Sequence, residues 1–96
     1  MMKELSVGGK SYPFRMTMGA LLRFKRKTGK EFSELTSGDV VMVVTLLYCI
    51  VAAASNAEGV EFTMELEEFA DKLSMEDFTE ATNSLFTPAE AEKKSK

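Results

Sequence analysis

The longest apolar stretch of the chain is residues 40–57, where eighteen consecutive residues carry no charge. All other apolar segments are short and alternate with polar residues, so this one helix dominates the pattern. Thr36, Ser37 and Asp39 are predicted to supply an N-cap and a first-turn acid for the helix, and Gly59 is placed to end it. Because a helix that is apolar on all sides needs cover on all sides, we expect the other elements to pack around it.

At the N-terminus, apolar and polar residues alternate on either side of Gly8-Gly9, which predicts a β-hairpin over residues 3–15. Two glycines accept the positive φ angles of a two-residue primed turn. The resulting register places Val7 opposite Lys10, Leu5 opposite Tyr12, and Glu4 opposite Pro13. A lone hairpin is only marginally stable in water, so its apolar side should lie on the helices. Residues 60–62 are a candidate third strand.

A short basic helix is predicted over residues 18–28, between the N-cap Thr17 and the terminating Gly29. Its apolar stripe is predicted to consist of Met18, Leu21, Leu22, Phe24 and Thr28, with Arg23, Lys25, Arg26, Lys27 and Lys30 on the remaining surface. Phe32 and Leu35 should anchor the connection to the central helix.

Two further amphipathic helices are predicted after the central one. Thr63 is the predicted N-cap of the first, whose apolar positions are Leu66, Phe69, Ala70 and Leu73. Ser74 and Asp77 form a variant of the capping box at the start of the second, whose apolar positions are Phe78, Ala81, Leu85 and Phe86. The predicted fold is α+β and predominantly α, with residues 1–86 forming one domain and residues 87–96 a disordered polar tail.

Length alone would let residues 40–57 cross a membrane, since eighteen helical residues span about 27 Å. The composition argues against this role, because Thr45, Tyr48 and Cys49 interrupt the run and no Lys or Arg lies close to either end. We therefore expect a core helix and no membrane partner. The strip through Val41, Thr45 and Tyr48 is more mixed in polarity than the opposite strip, and it is the predicted partner-facing surface.

The net charge of −3 is unevenly distributed along the chain. Residues 1–30 contain eight Lys or Arg residues against a single acid, whereas residues 31–92 contain fourteen acids against a single Lys. Such a separation favours contact between the two halves, either within one molecule or between neighbours stacked head to tail.

The residues needed for most catalytic chemistry are missing. The chain has no histidine, which excludes His-based acid-base catalysis and histidine metal sites. Its one cysteine, Cys49, allows no intramolecular disulfide and is expected to be an inert core thiol. The acids at 65–71 lack the spacing of an EF-hand loop. We expect no enzyme activity and no cofactor, and without a secretory signal we expect a cytoplasmic location.

The basic stretch over residues 23–30 is the best local indication of function, because five cations in eight residues could pair with phosphates. The candidate binding residues here are Arg23, Lys25, Arg26 and Lys27. A small nucleic-acid-binding regulator is therefore one hypothesis, although the chain as a whole is acidic. A homo-oligomeric helical module with an unknown partner is another.

Two segments carry a family resemblance. Residues 5–14 read LSVGGKSYPF and residues 18–30 read MGALLRFKRKTGK, and an apolar helix follows them. Over about residues 3–86 this pattern resembles small tail assembly chaperones of long-tailed, siphovirus-like bacteriophages and prophages. The resemblance implies a non-enzymatic chaperone in the cytoplasm of a bacterial host. Such a chaperone coats the helical tape measure protein, keeps it soluble and helps recruit tail tube protein. It supplies no catalytic residues to carry over.

Overall fold

A computed structural model describes residues 4–36 and 38–86 of the chain. It confirms the predicted fold class, with an N-terminal hairpin followed by four helices. The elements are β1 Glu4–Val7, β2 Lys10–Pro13, α1 Met18–Thr28, α2 Val40–Glu58, α3 Leu66–Lys72 and α4 Met75–Phe86, with a 3-10 turn at Phe32–Glu34. Ser37 and the predicted tail, residues 87–96, lie outside the described residues.

The hairpin has the predicted register, with Leu5 opposite Tyr12 and Glu4 opposite Pro13. Both turn glycines are left-handed, with φ of 62° at Gly8 and 84° at Gly9, as a type I′ turn requires. The Gly8 N–H donates to the carbonyl of Lys72 at 3.0 Å, which ties the turn to the end of α3. Leu5, Val7 and Tyr12 are buried, so the hairpin lies on the helices.

The predicted third strand is wrong, because the sheet in the described part of the chain has two strands and residues 60–65 have no regular structure. The ring of Phe62 packs edge-on against Tyr12, with the ring centroids 5.2 Å apart, and also against Tyr48 at 5.6 Å. This segment therefore contributes side-chain packing in place of backbone pairing.

Helix α2 lies at the centre of the fold and contacts α1, β2, α3 and α4. Its buried residues run from Val43 to Ser55, whereas Val40 and Val41 in its first turn are exposed. The helix ends at Gly59, which has φ of 74°. By length and composition alone α2 could cross a membrane, and 56% of this stretch is buried within the fold.

The inward side of α1 agrees with the prediction at Leu21, Phe24 and Thr28, which are buried or half-buried, and differs from it at Met18 and Leu22. Ala20 and Phe24 are fully buried, whereas Met18 is 74% exposed and Leu22 is 60% exposed. A Cβ placed on Gly19 would lie 3.6 Å from the Cβ of Ala53, an ordinary van der Waals contact, so this side of α1 borders α2. The inward side is therefore centred on Ala20 and Phe24, with Met18 and Leu22 outside it.

The cap of α3 was also mispredicted. Glu65, not Thr63, precedes the helix, and it makes no side-chain capping bond. The Tyr48 hydroxyl of α2 donates to the carbonyl of Met64 at 2.7 Å. This bond attaches the segment just before α3 to α2. Within the short helix Phe69 is buried, but the predicted inward residue Ala70 is exposed.

The cap of α4 is confirmed. The N–H of Asp77 donates to the Ser74 hydroxyl at 3.0 Å, and that hydroxyl donates to the Asp77 carboxylate at 3.0 Å. Ala81 is buried, while Phe78 and Leu85 are half-buried against the core. The fold therefore ends with a helix whose first turn is fixed by a local side-chain bond.

Truncating Phe24 tests the orientation of α1. Phe24→Ala should lower the free energy of unfolding by about 3–5 kcal/mol, because it empties a fully buried site. Leu22→Ala, two residues away on the exposed side, is the matched control and should change it by less than about 0.5 kcal/mol. Urea unfolding followed by circular dichroism measures both. A larger loss for Leu22→Ala would show that the helix packs on its predicted stripe.

Candidate functional site

A cleft of about 420 Å³ lies between α1 and α2. We call it the basic cleft, because three of its lining residues are Arg23, Arg26 and Lys27 of α1, and the other three are Tyr48, Cys49 and Ala52 of α2. Arg26 and Lys27 follow Arg23 by three and four residues, so both side chains lie beside that of Arg23 on the helix surface. The cleft has a cationic wall and a mostly apolar floor.

The local structure of α1 holds this wall in place. The Thr17 side chain accepts from the N–H of Ala20 at 3.2 Å, and Gly29 ends the helix with φ of 79°. The Arg23 guanidinium donates to the carbonyl of Gly19 at 3.3 Å, and Lys27 Nζ lies 5.7 Å from the Tyr48 ring centroid. Lys27 is thus within range of a cation–π contact across the cleft.

The cations of the basic cleft lack acidic partners within the described residues. The ion pairs there join Arg15 to Glu58 at 3.7 Å, Lys25 to Glu31 at 3.1 Å, and Lys72 to Glu68 at 3.1 Å. None of these pairs includes Arg23, Arg26 or Lys27. Their positive charge is therefore available to an external anion.

Tyr48 forms a rigid part of the cleft floor. Its hydroxyl is engaged by the carbonyl of Met64, and its ring packs on Phe69 with the centroids 5.4 Å apart. Burial, with a smaller contribution from the charge of Glu65, raises the pKa of the Tyr48 phenol. The phenol is consequently neutral at physiological pH, and its bond to the Met64 carbonyl orients it.

Cys49 is almost completely buried beneath the cleft. Burial raises the pKa of its thiol to about 11, although Lys27 and Arg23 act in the opposite direction. Because the thiolate is the reactive species, a thiol with so high a pKa is a poor nucleophile at neutral pH. The two cations could not be anticipated from the residues next to Cys49, since they belong to another helix.

The predicted partner-binding residues do not form one surface in the structure. It brings Arg23, Arg26, Lys27 and Tyr48 together in the basic cleft, but Lys25 lies outside the cleft lining and pairs with Glu31.

The strip predicted on α2 is not one open surface. Val41 is 76% exposed, whereas Thr45 is only 6% exposed. The Thr45 hydroxyl donates to the carbonyl of Val41 at 2.9 Å, and this bond within the helix allows a polar side chain to be buried. Of the strip, only Val41 and the half-buried Tyr48 can face a partner.

A second surface, which we call the apolar groove, was not predicted. It has a volume of about 150 Å³ and is lined by Val40, Val44, Ala70, Leu73, Met75 and Phe78. Val40 is 54% exposed and Met75 is 76% exposed. The groove forms where α2, α3 and α4 meet, so no single segment of sequence could reveal it. The one local signal was a pair of valines in the first turn of the central helix.

Among the described residues, no group of three or more Cys, Asp or Glu side chains is arranged to hold a metal ion. Comparisons of the chain with protein-family models, with curated proteins and with solved structures find no match. The basic cleft and the apolar groove are therefore interpreted from their own chemistry.

The raised pKa of Cys49 predicts a loss of stability at alkaline pH. Above about pH 9 the thiol of the unfolded chain loses its proton, while the folded thiol keeps it until about pH 11. The protonated thiol therefore makes its full contribution to the free energy of unfolding below pH 9, and this contribution is lost as the pH rises through 11. In urea unfolding across this range, wild type should lose more stability than Cys49→Ala, which lacks the titrating thiol. Parallel pH profiles would contradict the prediction.

Proposed function

We propose that this chain is a non-enzymatic tail assembly chaperone of a long-tailed bacteriophage or prophage, which binds the tape measure protein and assists assembly of the tail tube. The resemblance in the hairpin and the basic helix supports the family. The observation that carries the binding role is the apolar groove, where Val40 and Met75 are more than half exposed.

The groove suits an amphipathic helix of the client. Such helices bind by inserting apolar side chains spaced three and four residues apart into a hydrophobic groove, while their polar side stays in water. The exposed Val41 follows Val40 in sequence and extends the apolar surface at the start of α2. A long helical tape measure protein offers many such segments in succession.

The side chains of the groove favour broad specificity. Met75 is long, unbranched and polarizable, so it can adapt to apolar side chains of different shapes. Only six residues line the groove, whereas a stable protein interface buries about 1,200–2,000 Å². A single contact at the groove is therefore expected to be weak. Weak contacts repeated along the client would keep it soluble while each single contact stays reversible.

A binding role also agrees with the chemistry available. The chain lacks histidine, and the high pKa of Cys49 makes its thiol a poor nucleophile.

Co-expression with the tape measure protein tests the proposal. Wild type should keep the tape measure protein in the soluble fraction and copurify with it. Val40→Glu should lose both effects, because it places a carboxylate at the edge of the apolar groove. Glutamate in the first turn of a helix is favourable, so the fold should be retained.

Met18→Glu is the matched control. Met18 is the first residue of α1 as Val40 is of α2, it is 74% exposed, and it does not line the groove. This variant should solubilise the tape measure protein as well as wild type does. Failure of wild type to solubilise or copurify the tape measure protein would overturn the proposed function, and equal loss in both variants would overturn the assignment to the groove.

A further inference from the structure

We infer that the basic cleft binds a nucleotide, with the phosphate on the cations of α1 and the base on the apolar floor beside Tyr48. The inference goes beyond the proposed function, and the basic cleft shares no lining residue with the apolar groove. The nucleotide has two possible sources, because a free nucleotide and one unit of a single-stranded nucleic acid carry the same two chemical groups.

The first observation is the unneutralised charge of the cleft wall. Among the described residues, no carboxylate lies within 4.0 Å of the charged nitrogens of Arg23, Arg26 or Lys27. The charge of Glu65 reaches Tyr48 and contributes to its raised pKa, but Glu65 forms no ion pair with these cations. Three positive charges thus meet a nucleotide phosphate, which carries about two negative charges at neutral pH.

The donors of the wall suit a phosphate. Arg23 is oriented by its bond to the Gly19 carbonyl at 3.3 Å, and it keeps further N–H donors for a ligand. A planar guanidinium, such as that of Arg26, binds two oxygens of one phosphate at once. A terminal phosphate presents three acceptor oxygens, so it can accept hydrogen bonds from all three cationic side chains.

The second observation is the apolar and aromatic floor, which suits a flat base. The Tyr48 ring is held from behind by Phe69, and its hydroxyl is bound to the carbonyl of Met64. A fixed aromatic ring beside cations is the combination that single-strand binding proteins use, because the base stacks while the phosphate pairs. Ala52 adds a small side chain that leaves room above the floor.

Lys27 connects the two halves of the site. Its Nζ lies 5.7 Å from the Tyr48 ring centroid, a distance at which a cation–π contact is weak at an exposed site. An ion pair with a phosphate would draw the amine away from the ring and leave the ring free for the base. In the free protein Lys27 thus occupies the place that the base would take.

The size of the cleft agrees with this ligand. Its volume of about 420 Å³ lies within the range of about 300–1,000 Å³ that is usual for small-molecule sites. The carboxylates of an acidic peptide would also pair with the cations, but they offer no flat apolar group to the floor. A nucleotide uses both halves of the cleft.

An NMR titration of the isotope-labelled full chain at low ionic strength tests the inference. The probes are adenosine monophosphate, adenosine, inorganic phosphate and a single-stranded oligoadenylate. Adenosine monophosphate should shift the backbone amide signals of residues 23–27 and 48–52. It should bind at least about tenfold more tightly than adenosine or inorganic phosphate, because each of these lacks one of the two groups. Tighter binding of the oligoadenylate would identify a strand as the source, and equal or weaker binding would identify a free nucleotide.

Two double variants separate a site from general attraction between charges. The cleft variant combines Arg26→Gln with Lys27→Gln, and the matched control combines Lys25→Gln with Lys30→Gln outside the cleft lining. All four residues are exposed, and the spectra themselves show that each variant is folded. The cleft variant should bind adenosine monophosphate at least about tenfold more weakly. The control removes the same charge and should change the affinity by less than about twofold.

Four results would overturn the inference. They are the absence of shifts at the cleft with adenosine monophosphate, binding of inorganic phosphate as tight as that of adenosine monophosphate, equal weakening in both double variants, and cleft shifts with a polyglutamate peptide but not with adenosine monophosphate. The last would assign the cleft to an acidic protein. Because none of these variants changes Val40, their outcome is separate from that of the tape measure experiment.

Discussion

Burial of the apolar helix α2 is the constraint on which the rest of this small fold depends. Every other element packs side chains against the core around it, the 3-10 turn through Phe32, and the residues from Val43 to Ser55 are mostly covered. The other elements do not cover the first turn of α2, where Val40 and Val41 remain exposed. The apolar groove is thus a direct consequence of a long helix packed by short ones, because α3 has only seven residues with which to cover it.

Close packing between α1 and α2 determines the second surface. Gly19 lies against Ala53, and the neighbouring Ala20 and the more distant Phe24 are fully buried, so this side of α1 faces the core. With that rotation, Arg23 and Lys27 border α2 beside Tyr48, while Met18 and Leu22 point to solvent. The exposure of Met18 and Leu22 and the placement of the cations beside Tyr48 therefore have one origin, which is the side of α1 that packs on α2.

The features predicted correctly are those decided by neighbours in sequence. The hairpin register follows from two glycines, and the ends of α1 follow from Thr17 and Gly29, because these signals act within a few residues. Features decided by distant residues were missed. The segment just before α3 is held by the bond from the Tyr48 hydroxyl to the Met64 carbonyl, across sixteen positions of the chain.

The same distinction applies to the candidate site. The sequence identified the basic residues of α1 as candidates, but it could not show that Lys25 and Lys27 have different surroundings in the fold. Lys25 reaches Glu31, while Lys27 turns toward Tyr48. Met75 lines the apolar groove beside Val40, which belongs to a distant helix, so its place in a binding surface could not be inferred from its neighbours in sequence.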